Sequence, residues 1–259
     1  MRVLVTGASR GIGAAICVRL AHSGAEIAAC GSSHRAELQA VVAQIASAGG
    51  KAHALHGDLS EPAVPAQLVD AAVSAMGGLD ALVSNAGIAF PGSLAQTQVQ
   101  DWDRVHAVNV RAPWLLAKAA YPHLRATQGC VAVVASISGM HPYAGAGGYS
   151  ASKAALLMLV RQLAQEWAAD GLRVNAVSPG MVRTPLTEAI YADEASRRQR
   201  EALVPMHRIG TPEEIARIVE FLLSPAGAYM TGQNIAVDGG VGDAIHGLFS
   251  GRPDTGSKT

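Results

Sequence analysis

The chain has 259 residues, 49% of them apolar, and its 20 basic and 20 acidic side chains cancel to zero formal charge. This length suits one α/β domain with a large core. Zero net charge and 4% aromatic residues argue against nucleic-acid binding, single-strand stacking and an anionic membrane partner. We find no apolar run of roughly 20 residues that would span a membrane, and no secretory signal at the start.

The three cysteines, Cys17, Cys30 and Cys130, are far apart and lack the spacing of metal ligands. An odd number of scattered cysteines is typical of reduced, buried thiols. The nine histidines are also scattered, without paired spacing. We therefore expect a cytoplasmic protein and no metal site.

Short apolar strands alternate with helical segments along the whole chain. The predicted strands span residues 2–6, 27–31, 51–56, 80–84, 131–135, 172–177 and 234–237. The predicted helices span residues 14–22, 35–48, 62–76, 99–124, 149–169 and 185–200, with a last helix opening at Thr211. In the 99–124 segment, Pro113 should kink or restart the helix.

This alternation predicts an α/β fold, a Rossmann-type doubly wound parallel sheet of about seven strands with helices on both faces. We expect a single domain over residues 1–242. The C-terminal tail, residues 243–259, should be partly mobile because its last part is polar and contains glycine and proline.

A glycine-rich turn connects the first predicted strand to the first predicted helix. It reads Gly-x-x-x-Gly-x-Gly, with glycines at positions 7, 11 and 13. Glycines let the backbone approach a pyrophosphate closely, and the amides and dipole of a helix N-terminus bind such an anion. The turn is therefore interpreted as a dinucleotide-binding loop. The alternative, a purely structural turn, requires three glycines placed by chance.

The end of the second predicted strand carries no carboxylate. In dinucleotide-binding folds an acidic residue there binds the adenosine ribose, whereas a basic residue accepts the 2′-phosphate of NADP. Here the strand runs into Cys-Gly-Ser-Ser-His-Arg at residues 30–35. This favours NADP(H), with NAD(H) possible, and makes Arg10, Ser32 and Arg35 candidate phosphate ligands. Arg35 has the equal alternative of simply opening the next helix.

Tyr149 and Lys153 stand four positions apart at the start of an apolar helical run. On a helix this spacing places both side chains on one face. A free phenol has a pKa of about 10, and a neighbouring ammonium should lower the pKa of Tyr149 by favouring the phenolate. Tyr149 would then exchange a proton with a substrate oxygen near neutral pH. Alone, the pair also fits a surface tyrosine beside a solvated lysine.

Six motifs occur in a fixed order along the chain: Thr-Gly-x-x-x-Gly-x-Gly at 6–13, Asn-Ala-Gly at 85–87, Asn109 in a helix, Ser136 thirteen positions before the tyrosine, Tyr-x-x-x-Lys at 149–153, and Asn-x-Val-x-Pro-Gly at 175–180. Together they make residues 1–242 resemble the classical short-chain dehydrogenase/reductase family, and within it the 3-oxoacyl-carrier-protein reductases. The resemblance implies an NAD(P)-dependent oxidoreductase that transfers a hydride between the nicotinamide and a ketone or secondary alcohol.

The resemblance also implies a catalytic role for four residues. Tyr149 is the general acid/base, and Lys153 lowers its pKa and holds the nicotinamide ribose. Ser136 donates a hydrogen bond to the substrate oxygen, where charge develops; Ser138, on the same loop, has loop capping as its alternative role. Asn109 should hold a water that links Lys153 to solvent, and a hydrogen bond at the kink beside Pro113 is compatible with that role.

The same resemblance implies a set of cofactor-binding residues. Asp58 should accept a hydrogen bond from the adenine amine, Asn85 should mainly connect the central strands, and the Pro-Gly segment after the sixth strand should line the nicotinamide. The full set is Gly7, Ser9, Arg10, Gly11, Ile12, Gly13, Ser32, Asp58, Leu59, Asn85, Ala86, Gly87, Tyr149, Lys153, Pro179, Gly180, Val182 and Thr184.

Substrate specificity should lie in residues 138–148 and in a lid-like stretch, residues 185–208, which contains Leu186, Ile190 and Tyr191, because such loops close over substrates. Carrier-protein reductases are expected to have basic residues where this chain has Thr127 and Asp170. We therefore expect a free ketone, sugar or alcohol as substrate, with the carrier-bound substrate as the alternative.

Other interpretations are less consistent with the motifs. An extended-type epimerase or dehydratase needs a C-terminal substrate domain for which this chain has no room, and an enoyl reductase would space its tyrosine and lysine more widely. A non-catalytic dinucleotide-binding regulatory module is the alternative of another class. Family members commonly form homotetramers, or homodimers, through helices that correspond to residues 99–124 and 148–169.

Overall fold

Seven parallel strands form the centre of the molecule in this computed structural model, which describes residues 1–185 and 187–248. They are β1 (Arg2–Thr6), β2 (Glu26–Gly31), β3 (Lys51–His56), β4 (Ala81–Ser84), β5 (Cys130–Val134), β6 (Arg173–Pro179) and β7 (Asn234–Val237). Their spatial order is β3-β2-β1-β4-β5-β6-β7, with parallel pairing throughout. The predicted doubly wound sheet is confirmed, and the strand order reverses between β1 and β4.

Helices cover both faces of this sheet. They are α1 (Gly11–His22), α2 (Arg35–Ser47), α3 (Val64–Met76), α4 (Val99–His106), α5 (Ala112–Thr127), α6 (Tyr149–Trp167), α7 (Glu188–Ala192), α8 (Glu194–Leu203) and α9 (Pro212–Leu223). The predicted helix over 185–200 is therefore two helices separated at Asp193, whose side chain caps α8 by accepting a hydrogen bond from the Ser196 N–H.

Two apolar cores lie on opposite faces of the sheet because alternate strand residues point in opposite directions. In β1, Leu4 packs into one core and Val3 and Val5 pack into the other. The first core is completed by α3, α5 and α6, and the second by α1, α2 and α9. Each large aliphatic side chain that is fully buried contributes roughly 2 kcal/mol. This burial fixes the carboxyl ends of the central strands, where the predicted site residues lie.

The helical run from Val99 to Thr127 is interrupted at the predicted place. Between α4 and α5 the chain forms a π-helical turn, Ala107–Arg111, and Pro113 lies in the first turn of α5. Because proline has no N–H, it cannot donate to the carbonyl of Asn109, four residues earlier. The expectation that Pro113 restarts the helix is confirmed, and the π turn carries Asn109.

The chain continues after β7 into a 3₁₀-helix, Val241–Leu248. This helix includes the first residues of the predicted tail, whereas residues 249–259, and Leu186 of the predicted lid, lie outside the described residues. Within the described ranges, none of the helices is both long and apolar enough to cross a bilayer.

Candidate active site

The glycine turn between β1 and α1 folds in a way that side chains would prevent. Gly7 and Gly11 have φ angles of +64° and +58°, in the left-handed region that glycine adopts readily. A Cβ atom at Gly13 would lie 2.0 Å from the Gly7 carbonyl oxygen, closer than any real contact. The three glycines therefore form a tight, side-chain-free cradle at the N-terminus of α1.

No side chain of the described residues caps this end of α1, so its first N–H groups remain available to a ligand. Helix N-termini with free amides and nearby glycines bind phosphate groups. Arg10, at the N-cap position, is exposed. A dinucleotide pyrophosphate therefore fits this cradle, and the exposed Arg10 is available to the 2′-phosphate of NADP.

Asn85 connects the glycine turn to the neighbouring strand. Its side-chain amide donates hydrogen bonds to the carbonyls of Thr6 (2.9 Å) and Gly7 (3.1 Å), and the Thr6 hydroxyl accepts from the backbone N–H groups of Asn85 and Ala86. These bonds join the ends of β1 and β4, in keeping with the architectural role predicted for Asn85. A Cβ atom at Gly7 would lie 2.9 Å from Ala86 Cα, so the two loops are in direct contact.

The end of β2 presents small, polar and basic groups. Gly31 leaves room for Ser9, since a Cβ atom at Gly31 would lie 2.4 Å from the Ser9 hydroxyl oxygen. Ser9 is buried beneath this turn, and Ser32 and Arg35 are exposed. Arg35 is also the first residue of α2, so both of its alternative roles remain compatible with its position.

Asp58 and Leu59 follow β3. One oxygen of Asp58 accepts hydrogen bonds from the N–H and the hydroxyl of Ser60, and these bonds lower the pKa of the carboxyl group although burial opposes them. Leu59 is buried in the core beneath it. Asp58 is therefore an ionised acceptor, as an interaction with an amine requires.

Asn109 is completely buried, and its side chain is fully engaged. It accepts a hydrogen bond from the Ile88 N–H (2.9 Å) and donates to the Ile88 carbonyl (2.9 Å) and to the Ser152 hydroxyl (3.0 Å). The Ser152 hydroxyl in turn donates to the carbonyl of Tyr149 (2.7 Å). Asn109 thus fastens the loop after β4 to the first turn of α6.

Ser136 lies at the end of β5, where it caps a short 3₁₀-helix, Ile137–Gly139. Its hydroxyl oxygen accepts a hydrogen bond from the Ser138 N–H (3.1 Å). The capping hydroxyl of this loop is therefore that of Ser136, not that of Ser138. This bond leaves the hydroxyl proton of Ser136 available for donation, because the oxygen uses only a lone pair.

Tyr149 and Lys153 share one face of α6, as predicted from their spacing. The Lys153 ammonium nitrogen lies 5.6 Å from the centre of the Tyr149 ring and donates a hydrogen bond to the Val134 carbonyl (3.0 Å). Lys153 is buried, and burial lowers its pKa from 10.5 to about 8. The two groups that the proposed chemistry needs are therefore adjacent at the end of β5.

The expectation that Lys153 lowers the pKa of Tyr149 is wrong for this structure. Burial raises the pKa of the Tyr149 phenol, and only the interaction with Ser136 acts in the opposite direction. The physical reason is that the phenol is buried, while the ammonium group of Lys153 is directed to the Val134 carbonyl. Tyr149 is accordingly protonated near neutral pH.

A continuous set of contacts joins this pair to the glycine turn. A Cβ atom at Gly87 would lie 3.4 Å from both the Lys153 ammonium nitrogen and the Asn109 side-chain oxygen, and Ala86 contacts Gly7. On the other side, a Cβ atom at Gly11 would lie 3.4 Å from Thr184 Cβ. The carboxyl ends of β1, β4 and β5 thus meet in one groove, at the reversal point where such sheets bind ligands.

The segment after β6 borders this groove. Gly180 allows a close approach to β7, since a Cβ atom there would lie 2.5 Å from Asp238 Cβ. Pro179 and Val182 are buried, and the Thr184 N–H donates to the Thr187 hydroxyl (3.0 Å). Val182 and Thr184 therefore lie on a braced segment that faces the glycine turn.

Three participants are absent from the predicted set: Ile88, Val134 and Ser152. Ile88 and Val134 take part through main-chain groups, so their side chains give no sequence signal. Ser152 is visible as the residue before Lys153, but its bond to Asn109 spans 43 positions. The arrangement as a whole combines a phosphate cradle with a buried cation, a protonated phenol and a serine hydroxyl.

Comparison with known proteins agrees with this arrangement. The family model described as "Enoyl-(Acyl carrier protein) reductase" matches residues 7–242. The chain is 35% identical over 241 residues to 3beta-hydroxysteroid dehydrogenase 1 of Eggerthella lenta, covering 92% of each chain. It is 36% identical over 239 residues to dehydrogenase/reductase SDR family member 4 of Oryctolagus cuniculus, again covering 92% of each.

A solved structure shows the same fold. The NADP active-site complex of Pseudomonas aeruginosa RhlG superposes with a TM-score of 0.87 at 34% sequence identity, covering 93% of this chain and 95% of that one.

Proposed function

Because the chain belongs to the classical short-chain dehydrogenase/reductase family, we propose that it transfers a hydride between NADP(H) and a ketone or secondary alcohol. The observation that carries this proposal is the juxtaposition of Tyr149 and Lys153, beside a loop that contacts the glycine cradle. The matching family model is described as an enoyl reductase. The four-residue spacing of Tyr149 and Lys153 and the hydroxysteroid dehydrogenase relative favour carbonyl–alcohol chemistry instead.

The bound nicotinamide would supply or accept the hydride, and the protein would supply orientation and a proton. Tyr149, whose pKa is raised, would donate its proton to the carbonyl oxygen during reduction. Ser136 would donate a second hydrogen bond to that oxygen, where negative charge develops.

Lys153 would turn from Val134 to the nicotinamide ribose when the coenzyme is bound, and its charge would then favour the Tyr149 phenolate after proton loss. Because the Asn109 side chain is engaged by Ile88 and Ser152, we assign the water that links Lys153 to solvent to the main-chain carbonyl of Asn109. The remaining cofactor contacts follow the predicted set of residues.

The preference for NADP(H) rests on charge at the adenosine end of the groove. Arg10 and Arg35 are exposed there, and residues 30–35 include no carboxylate that would repel a 2′-phosphate. The related Pseudomonas aeruginosa structure contains NADP. NAD(H), which lacks this phosphate, would bind more weakly.

The substrate would be a free small molecule rather than one attached to an acidic carrier protein. Asp170 accepts a hydrogen bond from the Tyr121 hydroxyl (2.6 Å) and pairs with Arg125 (3.0 Å). The Asp170–Arg125 pair carries no net charge, so this position lacks the excess of positive charge that an acidic carrier protein would bind. The alternative of a 3-oxoacyl-carrier-protein reductase is therefore less favoured.

We further infer that the protein is a homotetramer that uses the outer faces of α4, α5 and α6. An open groove of about 660 Å³ runs between these helices. Trp114 and Met158, which are 44% and 59% exposed, lie on the same helices. A second copy of the chain packed on these helices would remove this apolar surface from water. The buried free thiols Cys17, Cys30 and Cys130 support a reducing, cytoplasmic setting.

Two measurements test the proposed function. Equilibrium titration with NADPH and with NADH should show tighter binding of NADPH. A panel of ketones should then oxidise the bound coenzyme in stoichiometric amounts. Coenzyme binding without turnover of any ketone or secondary alcohol would favour the regulatory-module alternative, and no binding of either coenzyme would contradict both interpretations.

A further inference from the structure

A short turn follows β7 and is held closed by the side chain of its first residue. This segment, residues 238–242, is the C-terminal turn. One carboxylate oxygen of Asp238 accepts a hydrogen bond from the Gly240 N–H (2.9 Å), and the other accepts from the Gly242 N–H (2.8 Å). Gly239 and Gly240 have φ angles of +65° and +88°, a conformation that favours glycine. The turn therefore has a fixed shape that depends on Asp238 and on its glycines.

The C-terminal turn packs against the segment that is predicted to line the nicotinamide. The Gly180 N–H donates to the Val237 carbonyl (3.0 Å), and a Cβ atom at Gly180 would lie 2.5 Å from Asp238 Cβ. The position of Asp238 is thus tied to the coenzyme side of the groove.

The last residues of the lid pack on the same turn. A Cβ atom at Gly239 would lie 2.6 Å from Val204 Cγ1, and a Cβ atom at Gly240 would lie 3.2 Å from Pro205 Cγ. The Met206 N–H also donates to the Gly239 carbonyl (3.3 Å). The two glycines therefore let residues 204–206 approach the turn more closely than a side chain would allow.

The substrate loop contacts the turn from the other side. A Cβ atom at Gly242 would lie 3.2 Å from His141 Nε2 and 2.9 Å from Asp238 Oδ2. The neighbouring residue of the loop, Met140, accepts a hydrogen bond at its sulfur from the side-chain amide of Asn234 (2.9 Å), the first residue of β7. The lid and the substrate loop are therefore both joined to one small element.

We propose that the C-terminal turn sets the position of the lid relative to the substrate loop, and that Asp238 is a positioning residue for substrate binding. Its two hydrogen bonds are made by a charged acceptor, and such bonds are stronger than neutral ones. Loss of these bonds would let the lid and the loop move apart and would loosen the substrate pocket. This inference rests on the proposed function and adds a residue to the same site.

The competing explanation is that the turn only completes the fold after β7. In that case substitutions in the turn lower stability, whereas the enzyme that remains folded keeps its native KM. A positioning role instead raises KM for the ketone. The glycine cradle holds the pyrophosphate, so the dissociation constant of NADPH should stay within about threefold of the native value in either case.

The first experiment measures steady-state kinetics of Asp238→Ala and Asp238→Asn with NADPH saturating and a reactive ketone varied. Asp238→Ala should raise KM by about tenfold or more, as expected for loss of a charged hydrogen bond, and kcat should change less than KM. Asp238→Asn keeps one acceptor oxygen, so its KM should lie between those of the native enzyme and Asp238→Ala.

The second experiment moves the lid from a glycine and keeps the test decisive if Asp238→Ala does not fold. Gly239→Ala places a Cβ against Val204, so it should raise KM and expose the lid to trypsin. Cleavage after Arg197, Arg198 and Arg200 in α8 should be at least about threefold faster than in the native enzyme, because local opening admits the protease. Gly24→Ala is the matched control: Gly24 also has a positive φ (+84°), but its Cβ would meet nothing within 4 Å.

A native KM in folded Asp238→Ala, or equal effects of Gly239→Ala and Gly24→Ala on KM and on tryptic cleavage, would overturn the inference. If no ketone reacts, the proposed function is wrong. The tryptic cleavage of the two glycine variants then still decides whether the turn holds the lid.

Discussion

The ammonium group of Lys153 lies over the ring of Tyr149, 5.6 Å from its centre, and donates its hydrogen bond to the Val134 carbonyl. In this arrangement the cation is buried and bonded to a main-chain carbonyl, so its charge is retained at the expense of stability. The site therefore has two requirements. The cation must lie close to the phenol, and it must remain free to turn toward a bound coenzyme.

Lys153→Met should therefore stabilise the protein without coenzyme near pH 7 while removing activity. Burial lowers the pKa of Lys153 from 10.5 to about 8, so the folded state disfavours the ammonium form. The cost of burying the Lys153 ammonium group is fully present below pH 8, and it disappears as the pH rises toward 10.5. Urea denaturation near pH 7 should show that the free energy of unfolding increases by on the order of 1–3 kcal/mol. This figure allows for the lost hydrogen bond to Val134.

The pH dependence distinguishes this effect from better packing. The gain of Lys153→Met over the native chain should shrink between pH 8 and pH 10.5, and Lys118→Met, at an exposed position, should show no such trend. A gain that is constant with pH, or a loss near pH 7, would contradict the assigned burial cost.

Gly13→Ala should disrupt the phosphate cradle. The added Cβ would lie 2.0 Å from the Gly7 carbonyl oxygen, so the turn has to shift. We expect a loss of NADPH affinity of at least about a hundredfold, or a destabilisation of roughly 3 kcal/mol or more where the turn cannot move. Isothermal titration and thermal unfolding measure both. Gly92→Ala is the matched control because its Cβ would meet nothing within 4 Å; native-like binding by Gly13→Ala would contradict the cradle.

Arg10→Gln should weaken NADPH binding and leave NADH binding nearly unchanged. Removing one charged contact to a phosphate costs about 1.5–3 kcal/mol, or roughly 10- to 150-fold in affinity. Arg35→Gln distinguishes a phosphate ligand from a residue that only opens α2. The substitution weakens NADPH binding only if Arg35 contacts the phosphate. Arg19→Gln, whose guanidinium pairs with Glu220, is the control. Equal losses for NADPH and NADH in Arg10→Gln would argue against a 2′-phosphate contact.

Asn85→Ala should destabilise the fold before it affects chemistry. The variant leaves the carbonyls of Thr6 and Gly7 without their donor, which costs roughly 2–4 kcal/mol. Chemical denaturation should show this loss, whereas Gln98→Ala, whose exposed side chain donates a hydrogen bond to the Gln96 carbonyl, should be nearly neutral. A fully stable Asn85→Ala would show that other groups suffice to hold the loops after β1 and β4 together.

Much of this fold follows from local sequence patterns. The buried strands are short apolar runs, and the turn at Gly7–Gly13 carries its own backbone requirements, so both are visible without tertiary information. Pro113 marks the helix restart because its chemistry is local. The split at Asp193 was missed, since the surrounding residues are charged and weakly patterned and only the capping bond to Ser196 separates α7 from α8.

The orientations of the side chains within the site were harder to predict from the sequence. The spacing of Tyr149 and Lys153 places them on one face, but the direction of the ammonium depends on the Val134 carbonyl, 19 positions away. The engagement of Asn109 likewise depends on Ile88, 21 positions away. Main-chain partners at such separations cannot be recognised from residue types. The sequence therefore predicted which side chains are neighbours, but it gave the wrong direction for the pKa of Tyr149.

The most direct test of the central claim is the rate of a single hydride transfer in Tyr149→Phe. This variant keeps the ring beneath Lys153 and loses only the hydroxyl. With NADPH pre-bound and a ketone substrate mixed rapidly, the rate should fall by about a thousandfold, within the range for loss of a general acid. The dissociation constant of NADPH should stay within about threefold of the native value. A native-like transfer rate in Tyr149→Phe would contradict the claim that Tyr149 delivers the proton.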